Sequence, residues 1–369
     1  MFIRKYIYDR ADWPELKYDE GKLREALAAV YHERGKLFGA LNVLGFNSRE
    51  NLLLSSISDE ILTSSAIEGE KLDMPSIRSS VAKRLGLEVA GVTEIFPDHY
   101  TEGVVEMALD ASQNYHLLLT EERLFGWHSA LFPMGRSGIH RIIVGGFRTE
   151  EMEIVSGAFG KEKIHYLAPK PDRVPIEMKS FIEWVEGKED IDPFIKAGLA
   201  HLRFESIHPF DDGNGRIGRA IADLLLARAD SSPKRFYSLS AQFLKEQKAY
   251  YEALESASNY SGSINDWLLW FLNALLRSIQ MSEEKINAAL HKASFYEKCR
   301  NIPMNDRQIK IVNMLLDDFY GKLTTEKWGK IAKCSHDTAL RDINDLIKKG
   351  ILIKEDAGGR STSYVLMEF

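Results

Sequence analysis

A chain of 369 residues, 44% hydrophobic and 28% charged, is too long for one small core and suits two or three globular domains. No apolar run is long enough to span a membrane, Met1-Phe2-Ile3-Arg4-Lys5 lacks the apolar core of a signal peptide, and Cys299 and Cys334 are too few for a disulfide framework. A net charge of −6 gives no global attraction to nucleic acid, so the expectation is a cytoplasmic protein in a reducing compartment, with no membrane association. Residues 1–20 carry Tyr6, Tyr8, Trp13 and Tyr18 without periodicity and read as an extended arm packed on another part of the chain. From Lys22 to about Leu44 the pattern is helical, with Leu23, Leu27 and Val30 on one side. In the next helix Ile57, Ile61, Ser64 and Glu68 fall at i, i+4, i+7 and i+11 and share one face. The two isoleucines mark that face as buried. Glu68 then either meets a partner or lies at a solvated helix end, with Gly69 as the stop signal.

Helical patterns continue through Pro75–Leu85, Asp98–Tyr115 and Glu121–Phe132. The run from His140 to Pro169 changes period. Ile142-Ile143-Val144, Glu153-Ile154-Val155 and Ile164-His165-Tyr166 are short β-type runs separated by glycine-containing turns. They describe either a decorated surface loop or a hairpin with an open edge. A helix over 173–187 follows.

The chemistry concentrates in His208-Pro209-Phe210-Asp211-Asp212-Gly213-Asn214-Gly215-Arg216-Ile217-Gly218-Arg219. Ile195, Leu199, Leu202 and Ser206 recur at helical spacing before it, and Ile217, Ile221, Leu224 and Leu225 after it. Pro209, Gly213 and Gly215 interrupt the pattern, which predicts a tight loop opening into a new helix. Such a loop turns backbone N–H groups and a helix dipole toward one point, an arrangement that suits a phosphate. Arg216 and Arg219 stand three apart in the first turn and can face one anion. Asp212 is a hard oxygen ligand suited to Mg²⁺, and His208 can take a proton near neutral pH. Taken singly, each has a plain structural reading: a histidine capping a helix, a glycine turn, arginines on a solvated face. Their coincidence within twelve residues describes a nucleotide-transfer site.

Downstream, the segment Ala241–Ser256 places Tyr251 and Leu254 one turn apart, and Ile264–Lys298 is a long helix with Trp267, Leu268, Phe271, Leu275 and Ile279 on its apolar face. Asn301-Ile302-Pro303-Met304-Asn305 breaks the helices. Helices at Asp306–Phe319, Thr325–Lys333 and Asp337–Lys349 precede strands at Ile351–Lys354 and Tyr364–Met367 around the turn Ala357-Gly358-Gly359-Arg360. Three helices followed by a hairpin is the order of a winged helix-turn-helix. Residues 301–369 hold 11 Lys and Arg against 10 Asp and Glu, a thin balance for a DNA binder. Lys333, Arg341, Lys348, Lys349 and Arg360 are the residues of a local patch. Protein interaction or a homodimer contact is favoured over DNA for this module.

The twelve-residue stretch resembles, position for position, the signature of the Fic (filamentation induced by cAMP) family, His-Pro-Phe-x-(Asp/Glu)-Gly-Asn-Gly-Arg-x-x-Arg. The resemblance covers roughly Asp98 to Arg277. It implies a mainly α fold: an N-terminal helical region (1–97), a Fic bundle with a β-hairpin flap (98–300) and the winged-helix module (305–369). The implied activity is protein adenylyl transfer, in which AMP passes from ATP to a Ser, Thr or Tyr hydroxyl of a target protein or of the chain itself. His208 is then the base. Gly213, Asn214, Gly215, Arg216 and Arg219 hold the ATP phosphates, Asp212 the Mg²⁺, and Tyr251 and Leu254 the adenine, with Ser258 or Asn259 near its edge. The flap, at about Ile154–Pro169, would take the target segment by strand addition. Ser64-Ser65-Ala66-Ile67-Glu68-Gly69 matches the family's inhibitory pattern (Ser/Thr)-x-x-x-Glu-(Gly/Asn), which makes Ser64 and Glu68 inhibitory and Arg219 the partner of Glu68.

Other outcomes stay open at this stage. Gly215 stands where a phosphorylating branch of the family has Lys, which argues against a kinase. Transfer of UMP, of another nucleotide or of phosphocholine is compatible with the motif, as is hydrolytic removal of AMP with Glu68 orienting a water. A DNA-binding regulator whose Fic core senses nucleotide is a different class of answer. A zinc hydrolase using His201, Glu205 and His208 lacks the further ligand that a zinc site needs.

Overall fold

Short polar side chains open most of the helices. The computed structural model describes residues 5–87, 95–156, 163–188, 190–316, 319, 321–355 and 362–367. Asp19 accepts a hydrogen bond from Gly21 N ahead of α1 (Glu20–Val43), and α2 runs from Phe46 to Ile67. Asp73 caps α3 (Met74–Leu85), Asp98 caps α4 (His99–Gln113) and Thr120 caps α5 (Glu121–Leu131), each through the N–H three residues on. Ile57, Ile61 and Ser64 of α2 are buried, as their common face requires.

Two small antiparallel strand pairs follow. Arg136–Ser137 (β1) pairs with His140–Arg141 (β2), and Glu153–Ser156 (β3) pairs with Lys163–Leu167 (β4) across a bulge at Ile154/Val155. The tip of the second pair, residues 157–162, lies outside the described residues. The strand expected at Ile142-Ile143-Val144 is not formed. Ile142 N donates to Gly135 O and Ile143 N to the Asp211 carboxylate, so a turn and the motif loop take the backbone groups that a ladder would need. The N-terminal arm lies against the β3–β4 pair: Tyr6 meets Tyr166 edge-on at 4.9 Å, and Tyr8 Oη donates to Leu167 O.

Helix α6 (Val174–Glu186) leads to the core pair, α7 (Pro193–Ile207) and α8 (Asn214–Asp230), which pack along each other. Both are almost wholly buried, so the loop between them is held from two sides. The segment read as 241–256 is two helices, α9 (Leu239–Lys245) and α10 (Gln247–Ser258), meeting at Glu246, whose backbone leaves the helical region. Trp267, Leu268, Phe271, Leu275 and Ile279 of α11 (Ile264–Lys298) are buried.

The chain divides into two compact units, 1–283 and 284–369. The second has its own core, built on Phe295, Ile311, Trp328, Ile343 and Leu352. It contains α12 (Asp306–Leu316), α13 (Thr325–Ala332) and α14 (His336–Lys348), then the antiparallel strands β5 (Leu352–Lys354) and β6 (Tyr364–Leu366). The expected turn at Ala357–Arg360 lies outside the described residues.

Candidate active site

The loop between α7 and α8 is shaped by its own residues. His208 ends α7 in the left-handed region (φ 50°), with its N–H on Phe204 O. Phe210 is fully buried and stacks on His128 at 4.3 Å. Asn214 clamps the loop: its Oδ1 accepts from Phe210 N and its Nδ2 donates to Phe210 O, so its side chain serves the loop backbone. Gly213 precedes α8 with φ 83°, a conformation that favours glycine. Gly215 stands where a Cβ would come within 2.0 Å of Glu68 Oε1, so only a bare backbone admits that carboxylate to the helix start.

A cavity of about 690 Å³ opens beside this helix start. Its lining includes Glu68, His208, Gly215, Tyr251 and Leu254 of the expected site residues, together with Ser258. Ile154, Val155, His165 and Tyr166 of the β3–β4 hairpin form another wall, and His165 Nδ1 meets Glu255 of α10 at 2.8 Å. Asp212, Gly213, Asn214, Arg216, Arg219 and Ser64 are not among the lining residues, and of these Arg219 bonds Glu68, which is.

Arg219, 3% exposed, donates from Nε to Ser64 Oγ (2.9 Å) and from Nη2 to Ser64 O and to Glu68 Oε1 (both 2.8 Å). Burial alone would lower its pKa, but the Glu68 carboxylate raises it above the ordinary value. Arg219 Nη1 is buried without a hydrogen-bond partner among the described residues. Arg216 instead donates to Tyr100 Oη at 2.6 Å and lies over the Phe132 ring. Asp212 is 41% exposed; Gly213 N and Ser137 Oγ donate to its carboxylate, and its Oδ1 lies 3.5 Å from Arg216 Nη2. A half-exposed carboxylate beside a helix N-terminus fits Mg²⁺, which takes one or two protein oxygens and completes its shell with phosphates and water. Among the described residues no cluster of three or more His, Cys, Asp or Glu side chains is placed to hold a metal.

His208, 18% exposed, faces the cavity. Its Nδ1 lies 3.3 Å from Glu205 O, and since a carbonyl only accepts, Nδ1 carries the hydrogen and Nε2 the free lone pair. Burial, assisted by the Arg148 charge, pushes this imidazole down to about 4, so it is neutral at pH 7. The His201 ring is buried, bonded to Tyr250 Oη and stacked on Trp267, as a core histidine is.

Several contributors had no sequence signal. Buried Arg148 donates from its guanidinium to the carbonyls of His208, Glu150 and Pro169 at 2.5–2.9 Å, and its own N–H goes to Pro209 O. It ties the motif loop to both ends of the β3–β4 hairpin. His128 accepts from Gly145 N at Nδ1 and faces Asp212 O with Nε2 at 3.1 Å. Burial pushes its pKa down to about 4. Gln247 and Tyr251 both donate to Ile67 O and fix the end of α2 that carries Glu68. Tyr100, far from the motif in sequence, completes the Arg216 environment.

Residues 118–226 match the Fic/DOC family model, and residues 6–87 match a domain of unknown function (DUF4172). The chain carries a Fic/DOC family domain within a mainly helical Fic fold. A Fic family protein from Desulfovibrio desulfuricans G20 superposes with a TM-score of 0.55 at 19% identity, over 96% of this chain and 98% of that one. A probable protein adenylyltransferase of Aquifex aeolicus is 35% identical over 81 residues, 22% of this chain and 23% of that protein. The protein adenylyltransferase Fic of Nematostella vectensis is 23% identical over 262 residues, 69% of this chain and 55% of that protein. The chain thus spans between about a quarter and about half the length of these curated relatives.

Proposed function

We propose that this chain is a protein adenylyltransferase that moves AMP from ATP to a Ser, Thr or Tyr hydroxyl of a target protein, and of itself, and that Glu68 holds it inactive. The observation that carries the reading is that His208, Glu68 and Gly215 at the α8 start line one cavity beside a hairpin, with Arg219 bonded to Glu68. Named adenylyltransferases among the relatives support it. Nε2 of His208 accepts the proton of the acceptor hydroxyl, which is a poor nucleophile until that proton leaves. The N–H groups at the α8 start and Arg219 bind the phosphate oxygens on which charge develops. Asp212 would hold Mg²⁺, which would supply further charge stabilisation there. Tyr251 and Leu254 supply apolar contact for the base, and the hairpin edge receives the target segment.

Arg219 cannot serve both Glu68 and a γ-phosphate at full strength, so the carboxylate and productive ATP binding compete. Replacing Glu68 by Gly is expected to raise transfer, and adding His208→Ala to silence it, since loss of a general base costs about 10²–10⁴ in rate. Unchanged transfer in a folded Glu68→Gly protein would leave the pair purely structural. Incubation with ATP labelled at the α-phosphate in cell lysate tests the reaction itself. Protein label from the α-position supports nucleotidyl transfer, and label only from the γ-position overturns it. The partly exposed Glu68 carboxylate on the cavity wall also favours a second reading, removal of AMP by a water that Glu68 orients, and that activity is expected to vanish in Glu68→Gly.

A further inference from the structure

One buried acid in the cavity wall is not used by the mechanism above. Glu205 stands on the last turn of α7, three residues before His208, with a side chain only 13% exposed. Its Oε1 has no hydrogen-bond partner among the described residues. Its Oε2 lies 3.9 Å from His208 Nδ1, the same nitrogen that faces the Glu205 carbonyl at 3.3 Å. Both oxygens recorded near Nδ1 therefore belong to one residue.

We propose that Glu205 is a positioning residue for His208, its carbonyl holding the hydrogen on Nδ1, which leaves Nε2 free to take the acceptor's proton, and its carboxyl acting on the ring through its charge from 3.9 Å. The assignment deepens the reading of His208 as the base and rests on it. When Nε2 is protonated the ring becomes a cation, and a carboxylate beside Nδ1 stabilises that form. The charge of Glu205 is set by its burial, by Glu68 from α2 and by Arg219 from α8, and Glu205 in turn acts on Tyr250 of α10. Arg148 and Asp212 act on His208 from the remaining sides. Burial first, then Glu68, pushes the Glu205 carboxyl up to about 8, against the pull of Arg219. Glu205 is thus mostly neutral at pH 7 and ionises as the pH rises through 8, where it makes His208 more basic.

Nuclear magnetic resonance of the full chain with ¹³C,¹⁵N-labelled histidine tests this, with His208→Ala identifying the signal. The expected result is the Nδ1–H form of the neutral ring and a second displacement of the His208 signal centred near pH 8, absent from Glu205→Gln. An Nε2–H ring, or a wild-type curve flat around pH 8, overturns the proposal; that curve alone decides it if Glu205→Gln does not fold. Transfer by Glu205→Gln is expected to fall on the order of tenfold in kcat with little change in the KM for ATP, and to lose its rise above pH 8. Full activity with an unchanged pH profile counts against the proposal. Persistent transfer in His208→Ala sinks the base assignment instead, leaving the ring's titration as a separate result.

Discussion

At Glu205 and His208 two opposite pKa displacements meet within one helical turn. The Glu205 carboxyl is raised from its ordinary 4.5 to about 8. Between those values the folded chain keeps a proton that the unfolded chain has released, so the contribution of Glu205 to stability is fully present below pH 4.5 and declines as the pH rises toward 8. The slope is about 1.4 kcal/mol per pH unit. Glu205→Gln removes this term, so its stability relative to wild type is expected to grow by on the order of 3 kcal/mol between pH 5 and 7.5. Urea unfolding of both proteins at the two pH values checks this, and parallel pH dependences would contradict it. Arg148 invites a different substitution. Lysine keeps the charge but not the fork that reaches three carbonyls, so Arg148→Lys is expected to cost about 1–3 kcal/mol and lower kcat while nucleotide still binds. Calorimetric nucleotide titration beside the rate assay separates the two effects, and an unaltered kcat would remove Arg148 from the positioning of His208.

Helix α2 brings Glu68 to the α8 start, and its seat is made one helix away. The Glu60 carboxylate accepts from Ser238 Oγ, Ser240 N and Ser240 Oγ, and so binds the first turn of α9. Glu60→Ala is expected to cost about 1–3 kcal/mol and loosen α2. Transfer should then rise in the wild-type background but not in Glu68→Gly, because the restraint is already gone there. Additive increases in the double mutant would disconnect Glu60 from the inhibitory pair. Packing of α4 on α5 is equally specific. A Cβ at Gly103 would lie 1.8 Å from Ala130 O, a backbone atom that cannot swing away. Gly103→Ala is expected to destabilise the first unit by about 1–3 kcal/mol or more, read as a lower melting temperature. An unshifted melt would mean that the two helices separate more readily than this contact implies.

For the whole molecule, the division at 283/284 and the separate core around Trp328 suggest that residues 284–369 fold by themselves. Expressed alone, that segment is expected to melt cooperatively, and a non-cooperative melt would show that its core depends on the rest of the chain. A winged-helix role in protein contact remains our proposal for it, with DNA disfavoured by its charges. Lys333, Arg341 and Lys348 are exposed, but Lys349 is tied to Pro303 O and the Asp345 carboxylate, and Arg360 lies outside the described residues. Binding to random duplex DNA that weakens steeply with salt would reverse that preference.

The sequence by itself determined what depends on neighbours along the chain. Helical spacing located α2, α7, α8 and α11, and the His208–Arg219 stretch was legible because its proline and glycines interrupt that spacing. The tertiary structure decided what depends on residues distant in sequence. Glu68 and Arg219 are 151 positions apart, and their pairing was suggested by a pattern match, whereas the geometry that allows it comes from the bare backbone at Gly215 and the hold of Gln247 and Tyr251 on Ile67. Nothing in their local sequence distinguishes Arg148, His128 or Tyr100 from ordinary helix and loop residues, and Glu205 entered only as a zinc-ligand alternative, not as a partner of His208. Periodicity reports only whether a position faces inward. Which polar groups meet there, and whether a buried charge finds a partner, is set by how the helices pack.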